Sequence, residues 1–183
     1  MRVNASLKGL FKYPGDWESA MRVAIVHDWL YVLGGAEKVL QEILRCYPGA
    51  DVFTLFDLLR PEDRARLGFA TSRTSFLQKM PLLRKYHRSY LPLMPVAIEQ
   101  FDLSSYDLVI SSSCAVAKGV LTGPEQLHIA YVHSPMRYAW DLQHQYLAES
   151  GYATGIKGLI ARALLHKMRI WDARTAHGPD AIF

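Results

Sequence analysis

Short runs of apolar, β-branched residues alternate along this chain with longer stretches in which apolar residues recur every three or four positions. The first pattern is typical of buried strands and the second of amphipathic helices. Strands separated by helices pair in parallel, because each helix carries the chain back along the sheet. The alternation therefore predicts an α/β fold, a Rossmann-like parallel sheet flanked by helices.

The same patterns give approximate bounds for the elements. Strands are predicted at Arg22–His27, Asp51–Phe56, Asp107–Ser112, Leu127–His133 and from Pro179 to Phe183. Helices are predicted at Ala36–Cys46, at Pro61–Leu67 and from Pro135 to about Ala148. A last helix is predicted after a loop at Gly151–Gly158, because apolar residues from Ile156 to Trp171 share one face. Residues 72–100 are expected to form short helices interrupted by Pro81, Pro92 and Pro95.

The length of 183 residues suits one domain, and half of the residues are apolar. Residues 1–20 lack the apolar core of a signal peptide, so they are interpreted as an N-terminal extension, either from a start codon assigned too early or as an amphipathic leader. Residues 21–183 form the predicted domain. Its last strand lacks a covering helix, which suggests that the domain is followed by another in a complete protein.

A pair of glycines follows the first predicted strand, in HDWLYVLGGAEKVL. Gly34 and Gly35 would lie at a helix amino terminus, where the backbone can approach a phosphate or a sugar hydroxyl. The P-loop and dinucleotide patterns are both absent from the sequence. A plain tight turn remains the alternative.

A second candidate site, YVHSPMRYAW, follows another apolar strand. His133 and Ser134 fall at the carboxyl end of that strand, where open α/β sheets bind ligands. Arg137, Tyr138, Trp140 and Asp141 add polar and aromatic groups. A structural role for His133, and helix packing by Tyr138 and Trp140, remain open.

Basic residues are concentrated between Arg64 and Ile98, a stretch with seven Lys or Arg and no Asp or Glu. Lys79, Arg84, Lys85 and Arg88 alternate there with apolar residues, which suits the surface of an anionic membrane. A solvated basic face over a core helix is the alternative. No motif that reads nucleic acid accompanies the patch, so nucleic acid is not an expected partner.

Other kinds of site are disfavoured. The histidines show no metal-ligand spacing, so no metal or other cofactor is expected. Cys46 and Cys114 match no C-x-x-C pattern and are expected to be reduced thiols of a cytosolic protein. The nucleophile elbow of α/β-hydrolases is absent.

Three segments together resemble a known family: MRVAIVHDWLYVLGGAEKVLQEIL, SFLQKMPLLRKYHRSYLPLMPVAIEQFDLSSYDLVISSSCAVAKGV and YVHSPMRYAW. Their order is similar to that in the amino-terminal domain of retaining family-four (group 1) glycosyltransferases, among them bacterial mannosyltransferases of surface-polysaccharide assembly. The resemblance covers about Met21 to Phe183. It implies the N-terminal half of a GT-B fold, in which this domain holds the acceptor and an absent C-terminal domain holds most of the nucleotide-sugar donor.

By the resemblance, Gly34 and Gly35 line the cleft near the donor phosphates, and His133 lies close to the transferred sugar. The implied reaction is metal-free transfer with retention, possible donors including GDP-mannose, to a glycan or lipid-linked acceptor at the cytoplasmic face of the cell membrane. His133 would orient a sugar hydroxyl or stabilise charge. The chain alone is expected to be inactive. The alternatives are a non-catalytic module that docks to membrane or to a partner glycosyltransferase, and an unrelated nucleotide-binding Rossmann protein.

Overall fold

A computed structural model describes residues 21–183 and shows an α/β domain built on one parallel sheet of six strands. The strands are β1 Val23–His27, β2 Asp51–Thr54, β3 Ser72–Thr74, β4 Leu108–Ser113, β5 Leu127–Val132 and β6 Ala181–Ile182. Their spatial order is β3-β2-β1-β4-β5-β6, and every neighbouring pair is parallel. The predicted fold class is confirmed. The order matches that of doubly wound sheets, whose switch point lies between β1 and β4.

Within residues 21–183, six α-helices accompany the sheet: α1 Gly35–Cys46, α2 Pro61–Leu67, α3 Leu83–Tyr86, α4 Met94–Glu99, α5 Gln143–Glu149 and α6 Gly155–Thr175. Short 3₁₀ helices span Phe76–Lys79, His87–Leu93 and Ala117–Gly119. Residues 72–100 thus contain short helices, as expected, but Pro95 opens α4 and does not interrupt it.

Alternation along β1 divides the core between the two faces of the sheet. Ile25 packs with Leu40 and Leu44 of α1, on what we call the α1 face. Ala24 and Val26 point the other way and join the larger cluster that includes Met168 of α6, on the α6 face. Side chains of a strand point to opposite faces in turn, and every residue of β1 is buried, as expected of a central strand covered on both sides.

Two predicted elements differ from the structure. Residues 137–142 form turns, and the helix begins only at Gln143. In these turns Trp140 donates its indole N–H to Asp172 of α6. The predicted loop at 151–158 ends earlier, since α6 starts at Gly155. Towards the end of α6 Met168 is buried, but the aliphatic side chains of its first turns are exposed. The predicted extension, residues 1–20, lies outside the described residues.

Candidate functional site

The carboxyl ends of β1 and β4 meet at the switch point of the sheet. His27 at the end of β1 is the register partner of Ser112 in β4. Ser113 is in turn the partner of Val132, and its carbonyl oxygen accepts the amide of His133 at 3.0 Å. Parallel pairing therefore brings together residues that are 85 and 21 positions apart in the sequence.

Side-chain contacts connect these residues in one chain, which we call the histidine relay: Glu37, His27, Ser112 and His133. Nδ1 of His27 lies 3.1 Å from Oγ of Ser112, and that oxygen lies 2.9 Å from Nε2 of His133. Nε2 of His27 faces the carboxylate of Glu37 at 3.7 Å. The first three residues are buried and His133 is half-buried, so the relay runs from the interior to the surface.

The glycine loop joins the relay through Glu37. The amide of Gly34 donates to Oε2 of Glu37 at 2.8 Å, so this carboxylate caps the amino terminus of α1. The Gly34 amide is therefore not free for a ligand, in contrast to the expectation for the loop. Gly35 is exposed, and a methyl group in place of its hydrogen would meet nothing within 4 Å. Space for a ligand thus exists at Gly35.

The ionisation of the relay favours hydroxyl ligands over bare anions. Burial acts to raise the pKa of Glu37, but the polar contact with His27 and the hydrogen bonds from the Glu37 and Gly34 amides outweigh it and lower the pKa. Burial and the neighbouring His27 lower the pKa of His133, against the opposing effect of Asp28 and Glu37. At neutral pH the site then holds an anionic carboxylate and an uncharged ring. The carboxylate offsets the helix dipole that would attract a phosphate.

A second carboxylate holds the loop after β4. Asp28 is 2% exposed and accepts the amides of Cys114, Ala115, Val116 and Ala117, the last two at 2.7 Å. Successive amides that converge on one point can form an anion site. Here Asp28 fills it, so the loop after β4 has a fixed shape and offers no free nest.

Ser134 and Arg137 follow His133 on the surface. Both are exposed, and Arg137 lies 3.5 Å from Asp141, an ion-pair partner four residues further along the chain. Within residues 21–183, neither side chain bonds to the relay. They are near the site only in sequence. Trp140, in contrast, donates its indole N–H to Asp172 of α6 at 2.8 Å. This contact agrees with the interpretation of Trp140 as a helix-packing residue.

The basic segment is displayed to solvent. Lys79, Arg84, Lys85 and Arg88 are all exposed, while Leu77 and Leu83 anchor the segment in the core. Exposed apolar side chains accompany the cations: Phe76, Leu82, Tyr86 and Leu93. Leu82 is 68% exposed and has a φ of 51°, the left-handed region that disfavours side chains.

An open cleft of about 430 Å³ lies beside the glycine loop. Tyr31, Val32 and Leu33 of that loop form one wall, and the opposite side contains residues of the loop after β2 and of the basic segment. Three arginines line the cleft, of which Arg60 and Arg66 pair with Asp63. The cleft is thus both apolar and cationic.

Sequence reasoning identified Gly34, Gly35 and His133 but missed His27, Glu37 and Ser112. Glu37 had a usable signal, because an acidic residue at the third helical position is typical of a capping box. Ser112 carried no signal of its own, because it is the middle one of three consecutive serines at the end of β4. The contact between His27 and Ser112 depends on strand register, which no local pattern specifies.

Within residues 21–183, no three His, Cys, Asp or Glu side chains are grouped as metal ligands. Cys46 and Cys114 are both free, and burial together with Asp28 and Glu37 raises the pKa of Cys114 to about 12. None of the described helices combines the length and apolar character needed to cross a bilayer. Comparison with family models, with curated proteins and with solved structures found no match for this chain.

Proposed function

We propose that this domain is the acceptor-side half of a retaining glycosyltransferase that uses a nucleotide sugar. The observation that carries the proposal is the convergence of the exposed Gly35 and the half-buried His133 through the histidine relay, at the switch point of a doubly wound sheet. Ligands of such sheets bind beyond the carboxyl ends of the strands. The resemblance of the sequence motifs to family-four enzymes specifies the reaction class.

In this proposal the donor sugar lies over Gly35, and His133 hydrogen-bonds one of its hydroxyls. The neutral imidazole supplies a polar contact that orients the sugar, and the buried Glu37 acts on it only through His27 and Ser112. The leaving phosphate takes the proton of the acceptor hydroxyl, so the domain needs no nucleophile of its own. Most donor-binding residues belong to the second domain of the family, and we therefore expect binding by this chain to be weak and transfer by it alone to be absent.

The cleft beside the glycine loop is the proposed acceptor site. Its apolar wall suits a lipid or sugar face, and its arginines suit an acceptor that carries phosphate. A glycan or lipid-linked acceptor would then approach the donor from the side of β1 and β2. Mannose from GDP-mannose is the donor that we propose to test first.

The test compares two alanine substitutions in glycines that both have open space around them. Gly35 lies at the amino end of α1, and Gly49 follows its carboxyl end, just before β2 and therefore at the opposite end of the strands. NMR titration of the 183-residue chain with GDP-mannose, GDP and mannose should shift the Gly34, Gly35 and His133 signals. Gly35→Ala should weaken GDP-mannose binding about tenfold, a loss of about 1.4 kcal/mol, and Gly49→Ala should not.

Equal affinities of the two variants, or shifts confined to residues remote from His133, would contradict the proposal. Titration with mannose alone and with GDP alone shows which part of the donor this domain contacts. We expect the sugar part to contribute more here, because Glu37 opposes a phosphate at the glycine loop.

A second candidate function is a module that docks to anionic membrane. The exposed side chain of Leu82, held in a left-handed conformation among four exposed cations, favours it. Each basic residue near an anionic surface contributes about 1 kcal/mol. The chain should therefore sediment with vesicles of phosphatidylcholine and phosphatidylglycerol, but not with phosphatidylcholine alone.

A charge-matched pair of variants separates this function from general electrostatic attraction. One variant replaces Lys79, Arg84, Lys85 and Arg88 by Gln, and the other replaces by Gln four exposed basic residues outside the basic segment, Arg22, Lys38, Arg45 and Arg174. Both lower the net charge equally. Loss of vesicle binding only in the first variant supports docking through this segment, and equal losses argue against it.

A further inference from the structure

Two imidazole rings share one hydroxyl group in this domain. Nδ1 of His27 lies 3.1 Å from Oγ of Ser112, and Nε2 of His133 lies 2.9 Å from the same atom. A serine hydroxyl has one proton, so it can donate to only one of the rings. For both contacts to be hydrogen bonds, the other ring must donate to the oxygen. The protonation of one ring therefore constrains that of the other.

Glu37 decides the direction of these hydrogen bonds. Its carboxylate faces Nε2 of His27 at 3.7 Å, longer than a hydrogen bond but close enough for a strong electrostatic preference. A carboxylate attracts an N–H group and repels a lone pair. With a single ring hydrogen, held on Nε2 by Glu37, His27 accepts the Ser112 proton at Nδ1. The Ser112 oxygen accepts in turn from Nε2–H of His133.

We propose that His27, oriented by Glu37, is a positioning residue that holds His133 in its Nε2–H tautomer and makes Nδ1 of His133 a hydrogen-bond acceptor. Within residues 21–183, the hydrogen bond of the His133 ring is made by Nε2 to Ser112, which leaves Nδ1 to a ligand. An acceptor at the end of the relay selects a ligand hydroxyl, whereas the opposite tautomer would select a carbonyl or phosphate oxygen. The inference rests on the proposed function only in naming that hydroxyl as one of a sugar.

The surroundings of His133 keep the ring in the neutral form to which a tautomer applies. Burial and His27 lower the pKa of His133, while Asp28 and Glu37 oppose that shift. The aromatic ring of Tyr131 lies 5.0 Å from the imidazole centroid and adds no charge. Near neutral pH the ring therefore has one hydrogen, and its position is set by the contact with Ser112.

The tautomer can be measured without any ligand. Long-range ¹H–¹⁵N spectra of the labelled 183-residue chain distinguish protonated from unprotonated ring nitrogens. The parent chain should show His133 as a single form with hydrogen on Nε2. Ser112→Ala removes the shared hydroxyl and should produce a mixture of the two tautomers. A parent spectrum with hydrogen on Nδ1, or an unchanged His133 in Ser112→Ala, would overturn the proposal.

Ser111 provides the matched control. Its hydroxyl lies 2.9 Å from Nε2 of His128 on the other face of the same strand, outside the relay. Ser111→Ala should alter the signals of His128 and leave those of His133 unchanged. In Ser112→Ala, unchanged His128 signals show that the sheet is intact. An altered His133 tautomer in Ser111→Ala would mean that the effect is not specific to the relay.

Substitutions of His27 test the same inference at a second position. His27→Phe removes both ring nitrogens and should release the tautomer of His133. His27→Asn offers a side-chain oxygen near the position of Nδ1 and should preserve it. A merely structural role of His27 predicts no such rescue. Because these spectra use no ligand, a negative result here is distinct from a negative result in the sugar-nucleotide titration.

Discussion

The carboxylate of Asp28 accepts the backbone amide of Val116 at 2.7 Å, across the switch point between β1 and β4. The flanking amides of Cys114, Ala115 and Ala117 point to the same carboxylate. Asp28 follows His27 directly in the sequence, and the loop whose amides it accepts follows Ser112 and Ser113 of β4. The contact therefore fixes the strand ends from which the histidine relay is built.

Asp28→Asn should destabilise the domain by about 2–4 kcal/mol, because an amide group can accept fewer of the four hydrogen bonds and leaves buried donors unpaired. Urea unfolding measures the free energy. Asp102→Asn is the control, since Asp102 is an exposed aspartate whose carboxylate accepts only from Ser104. Equal stabilities of the parent and Asp28→Asn would show that the loop does not depend on this carboxylate.

Gly119 marks the closest approach of the loop after β4 to α6. A methyl group at this position would overlap the ring of Trp171, whose indole N–H donates to Glu99 at 2.7 Å. Gly119→Ala should cost about 1–3 kcal/mol through overpacking and should change the tryptophan fluorescence. Gly123→Ala, in an exposed turn with room for a methyl group, should change neither. A stable Gly119→Ala variant with unaltered fluorescence would contradict the packing described.

The fold was predictable where the sequence pattern is strong. β1, β4 and β5 begin with apolar runs long enough to be recognised. Helix α1 begins at the second residue of the Gly34-Gly35 pair, and helix α2 begins at Pro61. β3 was missed because it comprises only Ser72–Thr74 at the sheet edge, where polar side chains are exposed. The start predicted for the next helix, Pro135, was wrong because the segment before Gln143 buries apolar side chains such as Met136 without being helical.

The candidate site was predictable only in its surface residues. Gly34, Gly35 and His133 are recognisable because their types are unusual at strand ends and helix starts. Ser112 became part of the site through its register with His27, and a shift of one residue would place it on the opposite face of the sheet. That register is set by the whole hydrophobic pattern of two strands far apart in sequence.

Acid should destabilise the domain through His128. Burial lowers the pKa of His128 from 6.5 to about 4, against the opposing charge of Asp180. Below pH 6.5 the unfolded chain takes up a proton that the folded chain refuses, so the free energy of unfolding falls as the pH decreases, until it levels off near pH 4. The full effect of this histidine is about 3 kcal/mol.

His128→Asn removes the titrating ring and should flatten the pH dependence between 6.5 and 5 in urea-unfolding measurements. Glu37 does not contribute to the pH dependence of stability between 6.5 and 5. Its pKa is lowered below 4.5, so its contribution to stability is lost only at more acidic pH. His133 acts in the same direction as His128 but is less buried, so some slope should remain. An undiminished slope in His128→Asn would assign the pH dependence to other groups.

Leu82 should show opposite effects on stability and on membrane binding. Its left-handed conformation costs about 1–2 kcal/mol for a residue with a side chain, and glycine removes that strain while losing about 0.5–1 kcal/mol of entropy on folding. Leu82→Gly should therefore leave the domain as stable as the parent or slightly more so.

If the segment docks to anionic vesicles, the same substitution should weaken binding about tenfold or more, because a buried leucine contributes about 1.5–3 kcal/mol. Leu121 is 61% exposed with an ordinary backbone, so Leu121→Gly should reduce stability and leave vesicle binding unchanged. Equal loss of stability in both variants would show that Leu82 carries no strain, and equal vesicle binding would remove Leu82 from the docking surface.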